Sequence, residues 1–164
     1  MEEHWRFLLR KAYEEARKSN DPSTRCGALI INKERRVLLA DCNRIPNGIS
    51  AFPDSWVRPI KYRRVEHAQR MVLNLAAKKS GVATEGLTMV CPWPACAACA
   101  RGIIAAGIAR LVIHEDAFRK TPPRWHEEAR MARDFFAEAG VEVISCAGTI
   151  GGVAIPFDGS LWSP

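Results

Sequence analysis

One histidine and two cysteines carry the strongest chemical signal in this sequence. Cys96 and Cys99 form a C-x-x-C pair, and His67 stands 29 positions before the first of them. Apolar spacing puts His67 near the start of one predicted helix and the C-x-x-C at the start of the next. A C-x-x-C at a helix N-terminus brings both sulfurs to one point, where the helix dipole favours thiolates. Thiolate and imidazole are ligands that zinc prefers, and three protein ligands leave a fourth position for water, the mark of a catalytic site. Each part alone is weak. A lone His on a helix is more often structural, and a lone C-x-x-C serves equally as a redox pair or as half of a structural zinc site. The combination is stronger: no second C-x-x-C completes a structural site, and this pair lacks the early-strand setting of a thioredoxin-type motif. The other four cysteines, Cys26, Cys42, Cys91 and Cys146, sit in or beside apolar runs and read as buried free thiols.

The elements that must position these residues follow from periodicity and turn chemistry. Glu3 to Lys18 reads as an amphipathic helix with Phe7, Leu8, Ala12 and Ala16 on one stripe, stopped by Ser19-Asn20-Asp21-Pro22-Ser23. Gly27 to Ile31 and Val37 to Asp41 read as a hairpin. Asn43 to Arg64 has three prolines and no sustained period, so it reads as a long loop of the kind that is usually functional. Val65 to Lys79 is helical, with Ala68, Val72, Leu75 and Ala76 apolar, and Gly81 closes it. Leu87 to Cys91 is a short strand, Cys96 to Ala106 a helix, and Ile108 to His114 a strand. Glu115 to Arg124 is a loop, Trp125 to Ala139 a helix ended by Gly140, and Val141 to Ser145 a strand, with Thr149 to Ile155 offering one more. This order, α-β-β-α-β-α-β-α-β, predicts a three-layer α/β/α domain on a mixed sheet, with no repeat and no boundary between 1 and 164.

Composition bounds the function. The chain has 164 residues, 48% hydrophobic and 26% charged, which excludes disordered and low-complexity classes. No apolar run approaches the ~20 residues of a membrane helix. The acidic start, Met1-Glu2-Glu3-His4-Trp5, lacks a signal-peptide pattern, so a cytoplasmic address is expected. Net charge is +6, and 17 of the 24 basic residues are Arg. Guanidinium grips phosphate in a two-pronged fashion, yet the bases are scattered, which suits a nucleotide-sized anion better than a long nucleic acid.

Glu66-His67-Ala68-Gln69-Arg70, followed by Cys96-Ala97-Ala98-Cys99-Ala100-Arg101-Gly102-Ile103-Ile104 and Ala106-Gly107-Ile108, resembles the zinc-dependent cytidine and deoxycytidylate deaminases, whose signature is H-x-E and then P-C-x-x-C. The resemblance covers nearly the whole chain. Asn20 to Ala28 and Asn43 to Gly48 resemble loops of the deoxycytidylate branch, and the run after the C-x-x-C is closer to that branch than to tRNA adenosine deaminases. It implies a cytidine-deaminase-like fold with a five-stranded mixed sheet and one zinc on His67, Cys96 and Cys99. It also implies a nucleotide substrate and a homo-oligomer. Zinc in such enzymes lowers the pKa of bound water, hydroxide attacks C4 of cytosine, and a Glu moves protons to N3 and to the leaving ammonia.

Two positions depart from the pattern. Ala95 stands where Pro usually precedes the first cysteine, with Pro94 one place earlier, and Gln69 stands at the position of the catalytic Glu. An amide cannot accept and return a proton near neutral pH. Gln69 is therefore read either as a substitution introduced to trap bound substrate or as the mark of a natural pseudoenzyme; the completeness of the remaining apparatus favours the first. By the resemblance, Gln69 and Cys96 occupy catalytic positions, Asn43 binds the sugar hydroxyl, and the backbone at Ala68 reads the base edge. Trp93 is either a platform for the pyrimidine or a core aromatic. Thr24, Arg25, Lys120 and Arg124 are candidates for a 5′-phosphate, and Trp56, Arg58, Lys61 and Tyr62 for a lid. The leading expectation is conversion of dCMP to dUMP. Deamination of another base or of RNA, and a non-catalytic nucleotide sensor, stand as alternatives.

Overall fold

The computed structural model describes residues 2–78 and 81–164. In chain order these form α1 (Glu2–Ala16), β1 (Gly27–Ile31), β2 (Val37–Cys42), α2 (Lys61–Arg64), α3 (Ala68–Lys78), β3 (Thr88–Val90), α4 (Ala97–Ala105), β4 (Arg110–His114), α5 (Glu115–Arg119), α6 (His126–Ala139), β5 (Glu142–Cys146), β6 (Ile155–Phe157) and β7 (Ser160–Trp162). Five strands make one mixed sheet in the order β2-β1-β3-β4-β5. β1 is antiparallel to both β2 and β3, whereas β3, β4 and β5 run parallel. The expected three-layer α/β/α architecture on a five-stranded mixed sheet is the one observed.

Strand periodicity assigns the two faces. Ala28, Ile30, Met89, Leu111 and Ile113 point to one side, where they meet α3, α4 and α6 through Val72, Ile103, Ala132 and Phe136. Leu29, Ile31, Val90 and Val112 point to the other and pack on Trp5, Leu8, Leu9, Ala12 and Tyr13 of α1. Helical spacing explains why Phe7, expected on the inner stripe, is instead exposed: positions 5, 8, 9, 12, 13 and 16 share a face, and 7 falls opposite. α1 lies so close to β1 that a Cβ on Gly27 would come within 2.1 Å of the Ala12 carbonyl oxygen. Only a residue without a side chain permits that approach.

Three connections differ from their expected form. The segment from Asn43 to Arg64 is not wholly loop: a 3₁₀ turn covers Pro53–Trp56 and α2 covers Lys61–Arg64. Glu115 to Arg124 likewise holds α5 and a 3₁₀ turn, Pro123–Trp125. Single helical turns are too short to show a 3.6-residue period. No strand forms from Thr149 to Val153; β6 and β7 make a separate antiparallel ribbon, in which Phe157 pairs with Ser160 around Asp158-Gly159. Lys79, the expected end of the second long helix, lies outside the described residues.

Candidate metal centre and its cavity

His67 is the residue just before α3, and Cys96 is the N-cap of α4, with Cys99 in its first turn. The segment entering His67 is pinned from both sides. Arg44 and Glu66 exchange backbone hydrogen bonds, at 3.2 and 2.9 Å. The Glu66 carboxylate accepts from the His67 N–H at 2.9 Å and pairs with Arg70 one turn on. On the other helix, Glu128 of α6 accepts from the N–H of Ala97 at 3.0 Å, meeting one of the donors that a helix start leaves free.

The three donor groups converge. His67 Nδ1 lies 3.6 Å from Cys96 Sγ and 3.4 Å from Cys99 Sγ, and all the donor atoms lie within 4.8 Å of one another. A tetrahedral zinc with ordinary Zn–S and Zn–N bonds requires roughly 3.6 Å between a sulfur and a nitrogen ligand. The observed separations lie within 0.2 Å of that value, and the soft S₂N donor set is the one zinc selects, so the residues fit the metal. In the bare pair the Cys99 thiol hydrogen-bonds Cys96 and, with His67, brings the Cys96 thiol down to about 3 against its own burial. Cys99 moves the other way, because the neighbouring sulfur and its burial both oppose a second negative charge. A divalent cation is what would let both sulfurs ionise together.

The centre opens into a cavity of about 110 Å³. Gln69, 3% exposed, reaches it from the first turn of α3 beside Ala68. Trp93 forms part of the wall, stacked on Phe157 with ring centroids 4.0 Å apart, and its buried Nε1 has no hydrogen-bond partner among the described residues. Asn43 also borders the cavity, but its amide is engaged. Oδ1 accepts from the Cys26 N–H at 2.7 Å, while Nδ2 donates to the Thr24 carbonyl at 2.9 Å and to Asp21 at 3.3 Å. One lone pair of Oδ1 is left for a ligand.

The basic candidates separate clearly. Arg124 and Thr24 line the cavity; Arg25 and Lys120 do not. The Arg25 Nε turns back to the Asp21 carbonyl at 3.0 Å, and the Lys120 Nζ sits over the Phe157 and Trp162 rings, 5.9 and 5.7 Å from their centroids. Among the lid candidates, Arg58 and Tyr62 stand at the mouth, and Trp56 lies away from it. Lys61 also lines the cavity but is no lid residue. It is buried, with Nζ 2.8 Å from Asp21 and 2.6 Å from Ser23 Oγ, and ties α2 to the loop before β1. Sequence reasoning passed over Asp21, Thr121, Trp125 and Glu128, which also line the cavity. Asp21 was hidden inside a run that already reads as a turn. Trp125, edge-on to both His67 and Tyr62 at 5.7 and 5.3 Å, carried no motif to mark it.

Comparison with known proteins gives one consistent answer. Residues 2–115 match the family model described as the cytidine and deoxycytidylate deaminase zinc-binding region. The chain is 35% identical over 125 residues to an uncharacterized deaminase of Aliivibrio fischeri, covering 76% of this chain and 81% of that one. It is 30% identical over 158 residues to the deoxycytidylate deaminase of Homo sapiens, covering 93% and 84%. Among solved structures, the dCMP deaminase of the cyanophage S-TIM5, in complex with dCMP and dUMP, superposes with a TM-score of 0.65. It shares 20% identity and covers 85% of this chain and 93% of that one, a likeness of fold.

Proposed function

The chain belongs to the cytidine and deoxycytidylate deaminase family, and we propose that its 164 residues form one deaminase domain whose site takes a cytosine nucleotide, dCMP first, and replaces the C4 amine by oxygen. Water is consumed and ammonia leaves, giving dUMP. The observation that carries this reading is the meeting of His67, Cys96 and Cys99 beside a cavity that Arg58 and Arg124 also line.

The protein's own groups divide the work. His67, Cys96 and Cys99 are the residues that would hold zinc, which when bound supplies the Lewis acidity that makes water a nucleophile near neutral pH. Ala68, with only a methyl group, leaves room for a flat ring beside the centre. Trp93 contributes an aromatic wall to the same space. Gln69 can donate through Nε2 and accept through Oε1, which orients a water and the base, but it cannot carry a proton from one to the other. The chain in this form is therefore proposed to bind its nucleotide and to turn it over slowly. Gln69 also favours one second reading, a non-catalytic nucleotide sensor.

Ammonia release by the native chain and by Gln69→Glu, measured over cytosine and adenine nucleotides and RNA, tests the proposal. Release from dCMP by the variant supports it. A variant that retains metal and fold but acts on none of them moves the sensor ahead. A cytoplasmic homo-oligomer completes the proposal, and light scattering on purified protein checks the assembly.

A further inference from the structure

The mouth of the cavity carries an anion of its own. Arg58, in the loop before α2, and Arg124, in the 3₁₀ turn before α6, both line the cavity, and both bind the carboxylate of Asp158. Arg58 Nη2 donates to Asp158 Oδ1 at 2.6 Å. Arg124 grips the same carboxylate with both terminal nitrogens, one of them 3.4 Å from Oδ2, and its Nε donates to the Tyr62 hydroxyl at 3.1 Å. The two guanidiniums, Arg124 foremost, hold the Asp158 carboxyl below its ordinary range.

Asp158 is not itself a lining residue; it reaches the arginines from the turn of the β6–β7 ribbon. Asp158 and Gly159 have φ of 48° and 86°, the two positive values that a two-residue hairpin turn of this kind demands. The turn is anchored by the Asp158 N–H donating to Thr24 Oγ1 at 3.2 Å and the Gly159 N–H to the Ser23 carbonyl at 2.8 Å. Asn or Gly would serve that backbone equally well. The geometry of the turn therefore accounts for a small polar residue and leaves its charge unexplained.

We propose that Asp158 is a built-in competitor, an internal anion that occupies the Arg58–Arg124 pair until a ligand phosphate replaces it, so that phosphorylated nucleotides enter by anion exchange and bind less tightly than the two arginines alone would allow. This rests on the nucleotide reading given above. A phosphate monoester brings about −1.5 to −2 charge and three acceptor oxygens, against one charge and two oxygens for the carboxylate, so the exchange runs toward the ligand. Asp158 is also the replaceable kind of partner. Its side chain is 32% exposed and screened by water, whereas Asp21, which neutralises the buried Lys61, is 0% exposed. Between two guanidiniums and one carboxylate, the resting mouth keeps a single positive charge. Unphosphorylated nucleosides cannot displace the carboxylate and gain nothing from the arginines.

Calorimetry with dUMP and deoxyuridine, neither of which carries a C4 amine to lose, tests this on the native chain and on Asp158→Asn at fixed low salt. Asn keeps the turn and removes the charge; Asp158→Gly, equally suited to the turn, provides the same comparison if Asn disturbs folding. The expected result is dUMP binding tighter by roughly fivefold in the variant, the scale of one partly exposed ion pair, with deoxyuridine unchanged. Arg58→Gln added to Asp158→Asn should return dUMP affinity to the native level or below. Unchanged or weaker dUMP binding in Asp158→Asn overturns the proposal, as does a gain that survives the loss of Arg58. Equal binding of dUMP and deoxyuridine by the native chain counts against the nucleotide reading instead, while the response to Asp158→Asn still decides the role of the carboxylate.

Discussion

Oε1 of Gln69 lies 3.8 Å from the Cys99 sulfur, so the carboxamide at position 69 sits directly against the His67–Cys96–Cys99 group. Gln and Glu share size and reach; what differs is the ability to hold a proton. General acid–base catalysis is worth roughly 10²–10⁴ in rate. Gln69→Glu should therefore raise kcat for dCMP deamination by at least that factor with little change in KM or thermal stability. A variant in which KM moves and kcat does not would show that position 69 serves binding alone.

One zinc per chain is expected on purification. Removing Cys99 leaves an imidazole and one thiolate, too few ligands to hold the metal at nanomolar concentrations of free zinc. Cys99→Ala protein should emerge with zinc well below stoichiometry by elemental analysis and should melt earlier than native protein. Full zinc occupancy in that variant would move the metal elsewhere.

At the mouth, Arg124 should discriminate between phosphorylated and unphosphorylated ligands. A hydrogen bond to a charged group contributes ~1.5–3 kcal/mol, and partial exposure of this side chain puts it at the low end. Arg124→Gln should weaken dCMP binding by about tenfold and leave deoxycytidine binding unaltered. If both ligands weaken alike, the residue shapes the wall and does not read the phosphate.

Acid should loosen the fold through His114. This residue is 0% exposed; its Nε2–H donates to the Gly148 carbonyl at 2.9 Å, and Nδ1 accepts from the Tyr13 hydroxyl at 2.7 Å, an arrangement that suits the neutral ring. Burial lowers its pKa below the ordinary 6.5. The unfolded chain then binds more protons than the folded one, so stability falls as pH drops below about 6.5 and levels off beneath the lowered folded value. Melting temperature followed from about pH 7 to pH 5 should decline, and His114→Gln should flatten that decline.

The long elements and the meeting of His67, Cys96 and Cys99 were legible in the sequence because each rests on a local rule. Apolar spacing marks α1, α3, α4 and α6, and the C-x-x-C announces two thiols at a helix start. The mouth was only partly legible. Arg124 and Arg58 could be named as basic residues in connections, but so could Arg25 and Lys120, and nothing local says which way a long side chain turns. That choice is made by side-chain partners that no local pattern marks: Asp158, far along the chain, pairs with Arg58 and Arg124, while the nearby Asp21 carbonyl holds Arg25 aside and the distant Phe157 and Trp162 rings hold Lys120. Lys61 was misjudged for the same reason, since its burial depends on Asp21, 40 positions earlier.

A ribbon of two three-residue strands has little stability of its own, yet it carries Phe157 against Trp93 and Asp158 against the arginines. Its footing is on the opposite side of the sheet. Ile155 is fully buried in the α1 cluster, and Trp162 stacks on His114 at 5.7 Å while meeting Tyr13 edge-on at 5.9 Å. The ribbon and α1 should consequently open as one cooperative unit, and their amides should exchange hydrogen for deuterium at matched rates. Loosening α1, for instance with Tyr13→Ala, should then release the Asp158 turn and unshape the mouth while α3 and α4, on the far layer, still hold His67, Cys96 and Cys99 together.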